Sequence, residues 1–250
     1  MNRVLGKAFA VVAVGVLATA FTPACAENDQ TIFIRAALAP AQNRQNGACL
    51  YTSDPTQPTL GEGLIDAAVR DSYMATLLVG NQLVARGDAT NLRAESNRVH
   101  LNGAVVRVTD PNGGAIGEFT SLATGFLDPQ VNNAPSYASV SVVAIDAATM
   151  GKISGGVGAG QTKLVVANIK AFGKTTGGDD VESGEYQLPI RVCNGCLIDF
   201  PDPAAPNQCP PKPASTGGGG GEATTPCAAG QDEPTPCWMC SDSRPACKSR

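Results

Sequence analysis

The sequence predicts an all-β protein built around an antiparallel β-sandwich, and three observations predict it. Between residues 31 and 200, short apolar alternations of period two recur. Clusters of Gly, Pro, Asn and Asp separate them, at the spacing of a sandwich or small barrel. Helical periodicity is nowhere sustained over that span.

The elements follow in order. Thr31 to Leu38 sets Ile32, Ile34 and Leu38 against Phe33 and Arg35, which makes a first strand. Residues 39–63 are rich in Pro, Gln, Asn and Thr and hold Cys49, so they read as a long loop pinned by a disulfide. Leu64 to Val69 and Tyr73 to Val79 are the next strands, the second placing Tyr73, Ala75, Leu77 and Val79 on one face. Asn97 to Thr109 is the clearest pattern. Val99 and Leu101 share a face, and after Gly103 the phase changes so that Ala104, Val106 and Val108 carry it, as a bulge at Gly103 requires. Asp110-Pro111-Asn112-Gly113-Gly114 has turn composition, and Glu118 to Leu127 returns to close a hairpin.

Tyr137 to Ile145 is a further strand, with Val140 and Val142 opposite Ser139 and Ser141. Residues 146–151 read as a turn or a single helical turn, and residues 155–160 as a loop. Leu164 to Phe172 and Tyr186 to Val192 complete the set. Pro189, lacking a backbone donor, belongs where that strand is an edge or bulges. Seven or eight strands joined by connections too short for crossover helices favour an immunoglobulin- or fibronectin-like sandwich. The immunoglobulin core Trp is missing, because Trp238 stands in the C-terminal tail. From Pro201 the composition turns to Pro and then to five successive Gly. Residues 201–226 are therefore a linker and 227–250 a Cys-rich, largely irregular tail stapled by disulfides.

Charge narrows the function classes. The 250 residues carry 18 Lys plus Arg against 22 Asp plus Glu, net −4, with no basic run. The electrostatic footprint of a nucleic-acid partner is missing. Met1-Asn2-Arg3 and Lys7 precede an apolar and small-residue run from Ala8 to Phe21, the layout of a secretory signal over residues 1–24. That run is too short to span a bilayer, which takes about 20 residues. Thr22-Pro23-Ala24-Cys25 resembles a bacterial lipobox, while Ala24-Cys25-Ala26 also offers the small residues of ordinary signal-peptidase cleavage. In the first reading Cys25 is lipidated and residues 25–30 are a tether; in the second the chain is periplasmic or extracellular.

Either way Cys25 leaves the count, and eight Cys remain: Cys49, Cys193, Cys196, Cys209, Cys227, Cys237, Cys240 and Cys247. An even number in an exported chain favours disulfides. The expected grouping pairs Cys227, Cys237, Cys240 and Cys247 among themselves and leaves Cys49, Cys193, Cys196 and Cys209 to pin loop and tail. The pairing within each foursome stays open. Two pairs have Cys-x-x-Cys spacing, Cys193/Cys196 and Cys237/Cys240, with 40 residues between them. A zinc ribbon separates its pairs by about 15 to 20. Thiol-redox or metal chemistry at these pairs is the alternative to structural bridging.

No catalytic constellation stands out. His100 is the only histidine and lies on a polar strand face with Arg98 and Asn102, and no Ser sits in a nucleophile elbow. Asp179 and Asp180 read as a solvated hairpin loop, and residues 155–160 lack the Lys-Ser/Thr ending of a phosphate loop. Arg86-Gly87-Asp88 is a turn. Asp110, Asn112, Asp128, Asn132 and Asn133 lack the alternating ladder of a calcium loop. Tyr51, Tyr73, Tyr137 and Trp238 are a thin set for sugar stacking.

The lipobox-like start, the β-rich domain, the segment Arg191-Val192-Cys193-Asn194-Gly195-Cys196-Leu197, and Cys227 to Asp232 followed by Cys237 together resemble bacterial envelope lipoproteins of uncharacterised activity. The resemblance implies a chain held to the outer membrane through its N-terminal lipid. Its expected role is non-catalytic, a surface binding or structural module. No cofactor or metal is expected, and the partner is an envelope protein or glycan.

Overall fold

In the computed structural model, residues 31–39, 49–88, 90–200, 209 and 226–239 are described. The signal-peptide, lipidation and tether readings, Cys240, Cys247 and nearly all of the linker lie outside these residues.

The chain is mostly β, as the period-two patterns require. One sheet has the order β2 (Thr59–Leu60), β1 (Ile32–Leu38), β4 (Tyr73–Asn81), β7 (Ser136–Ile145), all antiparallel. The second runs β3 (Gly63–Asp66), β10 (Tyr186–Cys193), β8 (Thr162–Thr175), β5 (Val99–Thr109), β6 (Ala115–Leu127), and it curls. Strand β9 (Asp180–Glu182) extends the β10 side of β8. A small third sheet pairs β11 (Ile198–Asp199) with β12 (Thr235–Pro236), which leads into a 3-10 turn at Cys237–Met239.

One apolar cluster draws on both sheets: Tyr73, Leu77 and Val79 from the first; Val99, Leu101, Val106 and Ile190 from the second. Each fully buried aliphatic side chain contributes about 1.5–3 kcal/mol, so the alternating faces fix which side of each strand turns inward. The phase change lies where the pattern puts it. The β5 register shifts between Leu101 and Gly103 against both neighbours, and Ala104, Val106 and Val108 are wholly buried beyond it. At Gly103 a Cβ would run into the Ser121 carbonyl, so the bulge also needs glycine. The sheets meet where β6 passes β7, and there the Val143 N–H donates to Ser121 Oγ at 2.8 Å.

Three expectations change. The strand expected at Leu64 to Val69 ends at Asp66 and pairs parallel with β10, so the larger sheet is mixed rather than antiparallel. The single turn after Ile145 is an eight-residue helix, α1 (Ala147–Ser154). Asp146 caps it, accepting from Thr149 N–H at 2.9 Å. In β1 the alternation breaks after Arg35, because a register shift between Ile34 and Ala36 turns Ala37 into the core. Pro189 lies one residue beyond the β3 pairing of β10, so its missing donor leaves no ladder bond unmade on that side.

Candidate functional site

The richest cluster of polar chemistry lies at the end of the molecule where β3 and β10 finish and β4 begins. Asp66 is wholly buried there, although it ends an apolar Leu-Ile run. Its Oδ1 accepts from Ala68 N–H at 2.9 Å and Gly195 N–H at 2.7 Å, and its Oδ2 from Leu197 N–H at 3.0 Å. Its own N–H donates to the Gly230 carbonyl at 2.9 Å. One residue thus holds the β3 turn, the Cys193-to-Cys196 loop and the tail.

The tail docks on the same end. Asp232 exchanges hydrogen bonds with Leu64: the Leu64 N–H donates to Oδ1 at 2.7 Å and the Asp232 N–H donates to the Leu64 carbonyl at 2.8 Å. The Tyr73 hydroxyl donates to Asp232 Oδ2 at 2.8 Å. Gln231 brackets Met74, accepting from its N–H at 3.0 Å and donating to its carbonyl at 2.7 Å. Burial pushes the Asp232 carboxyl above the usual carboxylate range, against hydrogen bonds from Leu64, Tyr73 and Gln231 that favour its charged form. Burial, with Asp232 alongside, pushes the Tyr73 hydroxyl far above the ordinary tyrosine range, so it serves as a donor.

Three disulfides join this framework: Cys49–Cys227, Cys193–Cys196 and Cys209–Cys237. They overturn the expected grouping. Cys227 and Cys237 are not partners in a tail-internal knot; they stitch the tail to the long loop and to the segment after β11. Cys193 and Cys196 close on each other instead of pinning a loop. Among the described residues, no helix is long and apolar enough to cross a membrane. Disulfides of this kind persist in oxidising compartments, consistent with an exported chain.

Asp66, Cys193 and Cys196 bring their ligand-capable atoms within 4.8 Å of one another. Cys193 is buried and Cys196 exposed. Two features weigh against a metal held there in this state. The sulfurs are spent in a disulfide, and both Asp66 oxygens already accept backbone donors. A reactive thiol also wants a cation or helix N-terminus beside it; here the facing group is a carboxyl.

The other residues weighed from the sequence stay apart. His100 is exposed, its Nε2 3.2 Å from Thr124 Oγ1 and its ring stacked on Phe126 at 4.8 Å. Asp179 and Asp180 border a cleft of about 410 Å³ that Thr31, Leu83, Arg86 and Asn97 also line. Two of the cleft's carboxylates are engaged: Asp180 pairs with Lys174 at 3.0 Å and Glu182 with Lys170. Asp110 folds its own turn, accepting from Asn112 and Gly114 N–H. Asp128 pairs with Arg98 at 2.6 Å. Of the aromatics, Tyr73 is core, Tyr51 is half-buried against the first sheet, and Tyr137 packs on Phe33 and beneath the Arg35 guanidinium.

Sequence reasoning missed Asp66, Gln231 and Asp232. The available signal was a carboxylate closing an apolar strand run, together with a Gly-Gln-Asp turn three residues after a cysteine. The chain matches no protein-family model, and no curated protein is similar to it.

Proposed function

We propose that this protein is a non-catalytic, exported envelope lipoprotein, anchored through Cys25, whose β framework serves as a binding or structural module. The observation that carries the reading is the stitching of loop and tail onto the sheets. Two disulfides, Cys49–Cys227 and Cys209–Cys237, and the Asp66 and Asp232 hydrogen bonds hold surface segments to a rigid scaffold. Such reinforcement suits a chain working outside the cytoplasm and displaying its loops on a rigid scaffold. The apolar cluster shared by both sheets supports a sandwich of immunoglobulin or fibronectin type, the β3–β10 parallel pair being its departure from that pattern. An envelope protein or glycan is the partner, and the membrane is reached through the N-terminal lipid. Intact mass spectrometry of protein recovered from its native envelope, before and after reduction and alkylation, tests this. Acyl mass at Cys25, with the remaining eight Cys alkylated only after reduction, supports the reading; an unlipidated chain beginning near Glu27 removes the anchor.

The second reading, thiol-redox or metal chemistry, is favoured by one observation, the exposed Cys196 in a Cys-x-x-Cys pair beside Asp66. Free thiols or bound zinc in the unreduced protein would make it the leading account.

A further inference from the structure

The two ends of this molecule differ in chemistry. The end opposite the disulfide-rich pole is where β4, β6 and β8 finish and where β1, β5 and β7 begin. Asn81 ties the sheets together there, its Nδ2 donating to the carbonyls of Asn97 at 3.0 Å and Leu127 at 3.3 Å. The described fold also begins there: Ile32 pairs with Asn81, and the Thr31 carbonyl accepts from Gln82 N–H at 3.0 Å.

Four of the seven large hydrophobic side chains exposed among the described residues cluster at this end: Val84 at 61%, Leu92 at 93%, Phe126 at 63% and Val131 at 60%. Val84 and Val131 are neighbours, since Val84 bridges Gln130. Leu92 is the outermost. It tips a turn closed by reciprocal Asp88–Arg93 backbone bonds at 2.9 and 2.8 Å, and its φ is +52°, a left-handed conformation that branched apolar residues seldom adopt. The turn's carboxylates face inward to hold it: Glu95 accepts from the N–H groups of Arg86, Gly87 and Asn97, and Asp88 from Thr90 N–H. A strained turn braced by two carboxylates therefore presents a leucine to solvent, an arrangement that costs stability and needs an apolar environment to repay it.

We propose that this end is a bilayer-facing surface, with Leu92, Val84, Val131 and Phe126 seated in the lipid headgroup and acyl boundary. The proposal rests on the lipid-anchor reading. Only five residues lie between Cys25 and Thr31, so a lipidated Cys25 keeps this end within roughly 20 Å of the membrane even with the chain fully extended. The Cys193–Cys196 loop and the docked tail then point away from the bilayer, toward partners. Arg86, Arg93, Arg98 and Lys174 stand against Asp88, Glu95, Asp128, Asp179 and Asp180, so no cationic excess is present. Contact is apolar, independent of anionic lipid and insensitive to salt.

The test uses the full lipidated chain in phosphatidylcholine vesicles whose acyl chains carry shallow doxyl quenchers. The native Trp238 reports the far pole; Leu92→Trp with Trp238→Phe reports this one, at a site exposed enough to tolerate the change, with circular dichroism confirming the fold. The expected result is a blue-shifted, quenched signal from Leu92→Trp that added salt leaves unchanged, and an unquenched Trp238. An unquenched Leu92→Trp on protein whose acyl mass has been verified overturns the proposal and leaves the anchor standing. If the mass shows no acyl chain, the anchor reading falls by itself. The same fluorescence on the unlipidated chain then decides the proposal, quenching supporting it and its absence overturning it.

Discussion

The Tyr73 hydroxyl donates to Asp232 Oδ2 at 2.8 Å across 159 residues of sequence, joining the first residue of a core strand to the C-terminal tail. The tail is thereby part of the fold rather than an appendage. Tyr73→Phe removes this donor and leaves a buried carboxyl short of a partner, a loss of about 1–3 kcal/mol in denaturant unfolding. In a double-mutant cycle with Asp232→Ala the two losses should fall short of additive, since both remove one bond.

Asp232 also sets a pH dependence. Its folded-state pKa is raised, chiefly by burial, so the folded chain keeps this proton to higher pH than the unfolded chain does. Its contribution to stability is fully present below the unfolded value of about 3.9 and is lost as pH rises through the raised folded value. Asp232→Asn removes that titration. Urea midpoints measured from about pH 4 to pH 7 should show the wild type losing ground to Asp232→Asn as pH rises.

Asp66→Ala strips three backbone N–H groups of their acceptor at once, those of Ala68, Gly195 and Leu197. Each buried donor left without an acceptor costs about 1–3 kcal/mol, so the loss in unfolding free energy should be on the order of 3 kcal/mol or more. Because Asp66 carries no catalytic duty in this account, the substitution should loosen the Cys193-to-Cys196 loop and raise amide exchange at Gly195 and Leu197.

How much of this was readable beforehand depended on range. The strand Tyr186 to Val192 was legible because Leu188, Ile190 and Val192 alternate and all three are wholly buried. The bulge at Gly103 was legible because the apolar phase slips there. Helix α1 was not, since eight residues containing Gly151 and Thr149 give too few turns for a period to show. The parallel pairing of β3 escaped because four residues carry little alternation and their partner lies more than a hundred positions away. Asp66 and Asp232 were missed for a related reason: a carboxylate closing an apolar run and a Gly-Gln-Asp turn are local signs, but the donors from Gly195, Leu197, Leu64 and Tyr73 that fix their role come from distant segments. Cysteine pairing is non-local too, and the counting that made disulfides the expectation could not choose partners.

The disulfides should differ in worth. Cys49–Cys227 spans 178 residues and Cys209–Cys237 spans 28. Chain-entropy estimates give at most about 5 kcal/mol for the first and about 3.6 kcal/mol for the second. Replacing each pair by serines and comparing unfolding midpoints should therefore find Cys49/Cys227 the costlier pair to lose.

The claim that the tail is stitched to the β framework is tested most directly by proteolysis of the unreduced protein and mass analysis of the linked peptides. The account predicts one peptide pair joining Cys49 to Cys227, another joining Cys209 to Cys237, and a single peptide closed between Cys193 and Cys196. A peptide joining Cys227 to Cys237, or either of them to Cys240 or Cys247, would contradict it and restore a tail that folds on its own.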